Sequence, residues 1–573
     1  MDHDTRTGYE IIVETLRHWG VQYISGVTGG GIIHFLSHID DLASELPEEM
    51  ETTGFFNIGE YAAGFMPLGS FLANGSINAC IATTGAATKI LSCGISDAKL
   101  HDIPALYIIP VSARSSQGLC PLQDTSASGS NAVEAIRAEI PDNVFVFDDS
   151  RRMGANLNAA AESLAHNKPT VLVLEHDALS RSTDIQEIPS IPALQYDEAE
   201  TSRFCQDLAR ESRDRKIVIL AGEELSRYPE APSLLERLSS LLSAPVIWSI
   251  NGANAVDHAS PWGFGYISFG GNDIAMDTWN GIDEQTLLLS LGAAPDEYTT
   301  NLEDFKAGAT FCATALPFGY GQYGATLQRR SRGAFYQTLA PLDTLLRALI
   351  IQFTTQEHQH LPAPTAPRQL NTRRITPPRS GHVDATRFFS MLHDSWPENT
   401  IGFDDVCLAY KDRPYITQRP SPNARFFSLY RGSAMGNTLG LACGAKLACP
   451  THHVVAFTGD GCFRLFSGYM PEARNLGIVI FLLDNSGYGI VEQGVPVILP
   501  GVKASRQHTR LEGMDYLGIA RSAGWKTHNL PPDLHGLQDI LQQHWASEDT
   551  SLLIRVPIDS EQIAGINPRA RNL

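Results

Sequence analysis

Two apolar runs, Val454–Thr458 and Ile478–Leu483, each end in a polar, glycine-bearing turn and enclose one stretch of helical pattern, Phe463 to Asn475. Such runs lack the polar alternation of a half-exposed strand. They must be covered on both faces, which parallel sheets flanked by helices provide. The spacing is that of a βαβ unit of about 30 residues. It predicts that the loops Gly459-Asp460-Gly461 and Asp484-Asn485-Ser486-Gly487-Tyr488 lie side by side at the carboxyl ends of two strands. Open α/β sheets bind their ligands at that edge.

The same alternation runs through the chain. Val21–Val27, Ala79–Thr83, Ala105–Val111 and Thr170–Leu174 read as strands, and Tyr9–Trp19, Tyr61–Leu72 and Ala155–Ala165 as helices. A second unit opens at the strand Lys216–Gly222 and continues through Ala244–Ser249 and Thr286–Gly292. Five prolines and no apolar periodicity mark Thr354 to His382 as a linker. Thr400–Phe403, His453–Thr458, Ile478–Leu483 and Ser551–Val556 are the strand candidates beyond it. The expected architecture is three doubly wound α/β domains: residues 1–185, 186–353 and, after a linker at 354–382, 383–573. The outer two share length and alternation, as related halves around a middle domain would.

Composition narrows the partners. A net charge of −20 without a basic cluster argues against nucleic acid. No stretch approaches the ~20 apolar residues of a membrane span, and the polar stretch Met1 to Gly8 is not a secretion signal. Nine scattered cysteines without a C-x-x-C read as reduced thiols. The reading is a cytoplasmic protein acting on small molecules.

The residue types in the paired loops suit a metal–diphosphate site. Mg²⁺ prefers near-octahedral oxygen ligands, usually one or two protein groups completed by phosphate oxygens. Asp460 and Asn485 offer a carboxylate and a carboxamide, and the flanking glycines allow the backbone to approach phosphates. Taken singly, each loop would usually be an ordinary turn; the two together, at the ends of buried strands separated by one helix, are much less so.

The Gly-Asp-Gly turn followed by helix, strand and Asn resembles the cofactor motif of thiamine diphosphate enzymes. The resemblance implies thiamine diphosphate and Mg²⁺ as cofactors, with Asp460, the Asn485 side chain and the Gly487 carbonyl as metal ligands and Gly459 and Gly461 against the diphosphate. Ile58-Gly59-Glu60-Tyr61-Ala62-Ala63-Gly64-Phe65-Met66 is similar to the family's H-E-Q-A-A-A-F-M, making Glu60 the carboxyl that activates the cofactor's aminopyrimidine. Small, apolar neighbours favour burial of Glu60 and its neutral form. From Glu60 to Gln123 the chain resembles the acetohydroxyacid synthase and pyruvate oxidase branch without a gap. Gln123 falls where that branch points a glutamine at the substrate. Tyr430-Arg431-Gly432-Ser433-Ala434-Met435-Gly436 resembles G-x-G-T-M-G, so Met435 would prop the bent cofactor and the Ser433 carbonyl would accept from its amine. Gly489-Ile490-Val491-Glu492-Gln493 resembles G-M-V-x-Q and adds Ile490 to the cofactor pocket.

Departures from the family pattern refine the expected chemistry. The histidine before the activating glutamate is Gly59, and Pro67 sits inside the following helix, where it should remove a hydrogen bond and bend the chain. The tryptophan that selects the second substrate in acetohydroxyacid synthases is Gly494. Their R-F-D-D-R is absent around Ala294–Tyr298, which counts against flavin. The decarboxylase histidine pair is missing near Arg114–Ser116, and their glutamate six residues after the metal Asn is Val491. The expected activity is carboligation: decarboxylation of a 2-oxo acid such as pyruvate, then transfer of its acyl-anion equivalent to a second carbonyl compound. Simple decarboxylation to an aldehyde, a flavin-dependent oxidase and an inactive paralogue are the alternatives. The resemblance implies a homodimer or homotetramer, with each cofactor between the first domain of one chain and the third of another.

Overall fold

A computed structural model describes residues 6–42, 53–321, 323–355, 362–503, 508–547 and 549–573. Residues 1–5 of the polar amino-terminal stretch and 356–361 of the expected linker lie outside these ranges. Three sheets form, and every strand pairing within them is parallel. The chain is thus the three-domain, doubly wound α/β protein its alternation predicts.

The first sheet runs, edge to edge, Asp40–Asp41, Gly54–Asn57, Tyr23–Gly26, Ala79–Ile81, Leu106–Val111, Thr170–Glu175, Val144–Phe147. The third runs Ala424–Phe427, Thr400–Asp404, His453–Gly459, Val479–Asp484, Leu552–Pro557, Lys526–Asn529. Without the two-residue edge strand, both have the order 2-1-3-4-6-5 by position within the domain. The outer domains are therefore topological copies. The middle sheet runs Gly263–Tyr266, Val246–Trp248, Lys216–Ala221, Thr286–Leu291, Ala309–Thr314, Ala334–Leu339. Its order, 3-2-1-4-5-6, is that of dinucleotide-binding sheets.

One local expectation needs correction. The stretch from Phe463 to Asn475 is not one helix: a helix spans Asp460–Phe466, and single 3₁₀ turns follow at Ser467–Tyr469 and Pro471–Ala473. Gly468 and Pro471 weaken the helical ladder there. The helix Glu60–Asn74 contains Pro67 in its interior, as expected. The middle domain closes on the helix Leu342–Thr355, and residues 362–382 contain no helix or strand. No helix among the described residues is long and apolar enough to cross a membrane. All nine cysteines are free thiols.

The outer domains share one hydrophobic core, because the helix Glu60–Asn74 lies directly on the helix Thr438–Ala448. Glycines on both surfaces bring the backbones together. A Cβ added at Gly444 would stand 1.9 Å from the Met66 carbonyl oxygen, and one at Gly69 2.0 Å from that of Leu441. Ser70 Oγ donates to the Gly444 carbonyl at 2.9 Å, and Tyr61 Oη donates to that of Met435. Gly444→Ala should therefore force the helices apart and cost about 3 kcal/mol. Urea denaturation of the variant checks this.

Candidate active site

The strand His453–Gly459 ends buried, and Asp460 opens the next helix with its side chain 1% exposed. Asp460 Oδ1 accepts from the Gly461 amide at 2.9 Å, and Oδ2 from the Gly487 amide at 3.0 Å. The two loops placed together by the βαβ reading are thus joined by one carboxylate. At the neighbouring strand end Asp484 is also buried and pairs with Arg555 at 2.6 Å. Burial, then the Asp484 charge, pushes the Asp460 carboxyl well above the ordinary carboxylate range. The Asn485 side-chain nitrogen is buried without a partner.

These features fit a divalent cation and a diphosphate. A cation would offset the two close carboxylates, and a phosphate oxygen would satisfy the orphaned amide. The helix Gly489–Ile498 adds a positive N-terminus beside the cavity. Gly461 has a separate reason to be glycine: a Cβ there would meet the Tyr488 ring at 2.7 Å and the Met435 methyl at 3.4 Å.

A cavity of about 310 Å³ opens over these loops. Gly459, Asp460, Gly461, Asn485, Gly487 and Ile490 line it, as do Ser433 and Met435. Every cofactor residue expected from the third domain therefore borders one space. Asp405, which the sequence reading missed, fixes the Met435 loop. It accepts from the Gly436 amide at 2.9 Å and from the Thr438 and Thr458 hydroxyls at 2.8 Å each. Its position directly after the apolar strand Thr400–Asp404 was the available signal.

Glu60 and Gln123 are absent from this lining. Glu60 is the first residue of its helix and is half-buried, less covered than its apolar neighbours suggested. Gly59 precedes it because the Tyr469 ring fills the space of a side chain, 2.0 Å from an ideal Cβ. Gln123 is exposed, with a backbone φ of 57°, and its Oε1 accepts from Thr84 Oγ1 at 2.6 Å. Thr84 and Gln123 thus pair away from this cavity, while Tyr61, next to Glu60, donates to the Met435 carbonyl of the same chain.

The raised carboxyl has a consequence for pH. Folded apoprotein binds a proton at Asp460 that the unfolded chain releases, so this group contributes stability that is lost as pH rises from the carboxylate range toward neutrality. A cation needs the ionised form. Stabilisation of the apoprotein by Mg²⁺ with diphosphate should therefore be greater at pH 8 than at pH 6, as melting curves at the two values will show.

Residues 6–133 match the model of the thiamine pyrophosphate enzyme N-terminal TPP binding domain, and residues 415–556 that of the C-terminal TPP binding domain. The chain is 22% identical to acetolactate synthase isozyme 1 large subunit of Escherichia coli, over 97% of this chain and 94% of that protein. It is 24% identical to the mitochondrial acetolactate synthase catalytic subunit of Aspergillus candidus, over 91% and 76%. Among solved structures, a thiamine diphosphate-dependent 4-hydroxybenzoylformate decarboxylase of Rhodococcus jostii RHA1 superposes with a TM-score of 0.75. It is 17% identical and covers 96% of this chain and 99% of its own.

Proposed function

Because this chain belongs to the thiamine diphosphate-dependent enzyme family, we propose that it is a carboligase: it decarboxylates a 2-oxo acid such as pyruvate and joins the remaining acyl unit to a second carbonyl compound. When bound, the cofactor supplies the nucleophilic carbon and the electron sink for loss of CO₂. Asp460, the Asn485 side chain and the Gly487 carbonyl would hold Mg²⁺, with Gly459, Gly461 and Ile490 against the diphosphate. Ser433 and Met435 would orient the pyrimidine end. Glu60 would exchange a proton with the aminopyrimidine, and Gln123 would contact the substrate.

The observation that carries carboligation is the character of the cavity wall. Val491, Gly494, Val495 and Ile498 fall at helical spacing on the helix Gly489–Ile498, and all four line the cavity. Asp460 is the sole carboxyl-bearing side chain among the described lining residues. Glu492 lies outside the lining, and its charge acts on Arg379. Apart from Asp460, which would hold the metal, the helix wall carries no carboxyl side chain of its own where a decarboxylase would place one, and it leaves apolar space for a second substrate at Gly494. Acetolactate synthase relatives along nearly the whole chain support the same reading.

The absence of Glu60 and Gln123 from the cavity lining of their own chain supports a second copy. Glu60 and Gln123 would reach the cavity of a partner chain, making a homodimer the smallest active unit and a homotetramer a pair of such dimers. Exposed apolar side chains occur on both sides of that contact: Leu119 and Leu122 near Gln123, and Val491, Val497 and Leu499 on and after the cavity helix.

Incubation with pyruvate, alone and with a panel of aldehydes and ketones, tests the activity by mass spectrometry. A new carbon–carbon product that depends on thiamine diphosphate, Mg²⁺ and acceptor is expected. Free acetaldehyde as the sole product with every acceptor would instead identify a decarboxylase.

A further inference from the structure

The middle domain has the strand order of a dinucleotide-binding sheet, so its ligand crevice should lie where that order reverses, between Lys216–Ala221 and Thr286–Leu291. The loops leaving those strands do converge: a Cβ at Gly222 would stand 2.1 Å from the Gly292 carbonyl oxygen. They also carry Glu223 and Asp296, and two carboxylates at such a point repel a phosphate. A side chain of the third domain occupies the space between them. Arg431 Nε donates to Asp296 at 2.6 Å, its Nη1 lies 3.1 Å from Glu223, and its guanidinium is 6% exposed.

The first domain completes the enclosure. His101 lies 3.0 Å from Glu223 through Nδ1, while its Nε2 meets the Arg431 amide at 3.2 Å. Arg431 Nη1 also donates to the Leu100 carbonyl at 2.9 Å. All three domains therefore close on one guanidinium, two residues before Ser433 and four before Met435. Gly432 is pressed against Asp97, 2.0 Å from an ideal Cβ to Oδ1, and Ser433 takes a left-handed φ of 53°. Asp405 holds the loop at Gly436, and Arg431 holds its other end.

We infer that Arg431 is a positioning residue for the cofactor loop, and that the nucleotide-type crevice of the middle domain serves as its socket and not as a nucleotide site. The inference rests on the proposed cofactor site. Released from the socket, Ser433 and Met435 would lose their fixed register against the cofactor while the metal ligands stayed intact.

Calorimetric titration of full-length apoprotein with thiamine diphosphate in saturating Mg²⁺ tests this, with Arg431→Met, Arg431→Lys, and Asp296→Asn beside the wild type. Arg431→Met should bind the cofactor at least ~10-fold more weakly, with partial recovery in Arg431→Lys, and its kcat should stay low at saturating cofactor. Should Arg431→Met fail to fold, Asp296→Asn weakens the same socket and should raise Kd several-fold. A folded variant with lowered Tm but unchanged cofactor Kd and kcat would overturn the inference. So would saturable binding of ADP or FAD to the wild type. Absence of cofactor binding by the wild type would instead overturn the proposed cofactor site.

Discussion

Asp460→Asn is expected to weaken binding of thiamine diphosphate with Mg²⁺ by at least about 100-fold and to remove turnover with it. The change keeps the size of the side chain and its acceptor oxygen for one of the Gly461 and Gly487 amides. It removes the charge a cation needs. It also removes a buried charge that burial and Asp484 disfavour, so the apo variant should be at least as stable as the wild type above neutral pH. Loss of binding without loss of stability would separate a ligand role from a structural one, and calorimetry beside a thermal melt reads both. A variant that binds and turns over normally would show that the cofactor sits elsewhere.

Glu60→Gln should have an equally large effect of a different kind. A half-buried carboxyl at a helix start contributes little to folding, and none of the hydrogen bonds holding the Asp460 loops involves it. Turnover should fall ~10²–10⁴-fold, the range for losing a proton-transfer group, while cofactor affinity changes little. The two variants together test the shared site. Mixed Glu60→Gln and Asp460→Asn chains should recover about a quarter of wild-type activity after subunit exchange, since half of random dimers are hybrids with one intact site. If each chain instead used its own Glu60 with its own Asp460, no mixture would recover activity.

Much of the fold was legible because the central strands are buried on both faces. Val454–Thr458, Ile478–Leu483 and Thr286–Gly292 stand out as apolar runs for that reason alone. Most strands left unread are short or at sheet edges, where one side is open, such as Asp40–Asp41, Gly54–Asn57, Ala424–Phe427 and the polar Lys526–Asn529; the central, buried Ala309–Thr314 was missed because its threonines break the apolar run. The 3₁₀ turns after Phe466 show how an apolar pattern can continue while Gly468 and Pro471 break the ladder beneath it.

The site divides in the same way. Asp460, Asn485 and Met435 were readable because each lies in a local motif of strand, glycine and polar side chain. Asp405 and Arg431 act through partners distant in sequence, such as Thr458 and Glu223; the strand before Asp405 marks a loop at the sheet edge, but no local pattern announces those partners. Gly59 is the clearest case. The sequence shows only that the family histidine is replaced, whereas the structure shows the Tyr469 ring filling the place a side chain would take.

The central claim is that the cavity over Asp460 and Asn485 holds thiamine diphosphate through a divalent cation. Calorimetric titration of the metal-free wild-type chain tests it most directly, with thiamine diphosphate added in the presence and absence of Mg²⁺. Saturable binding near one cofactor per chain, strong with Mg²⁺ and weak without it, is the predicted result. Absence of binding with Mg²⁺ present, or equal affinity with and without the cation, would contradict it.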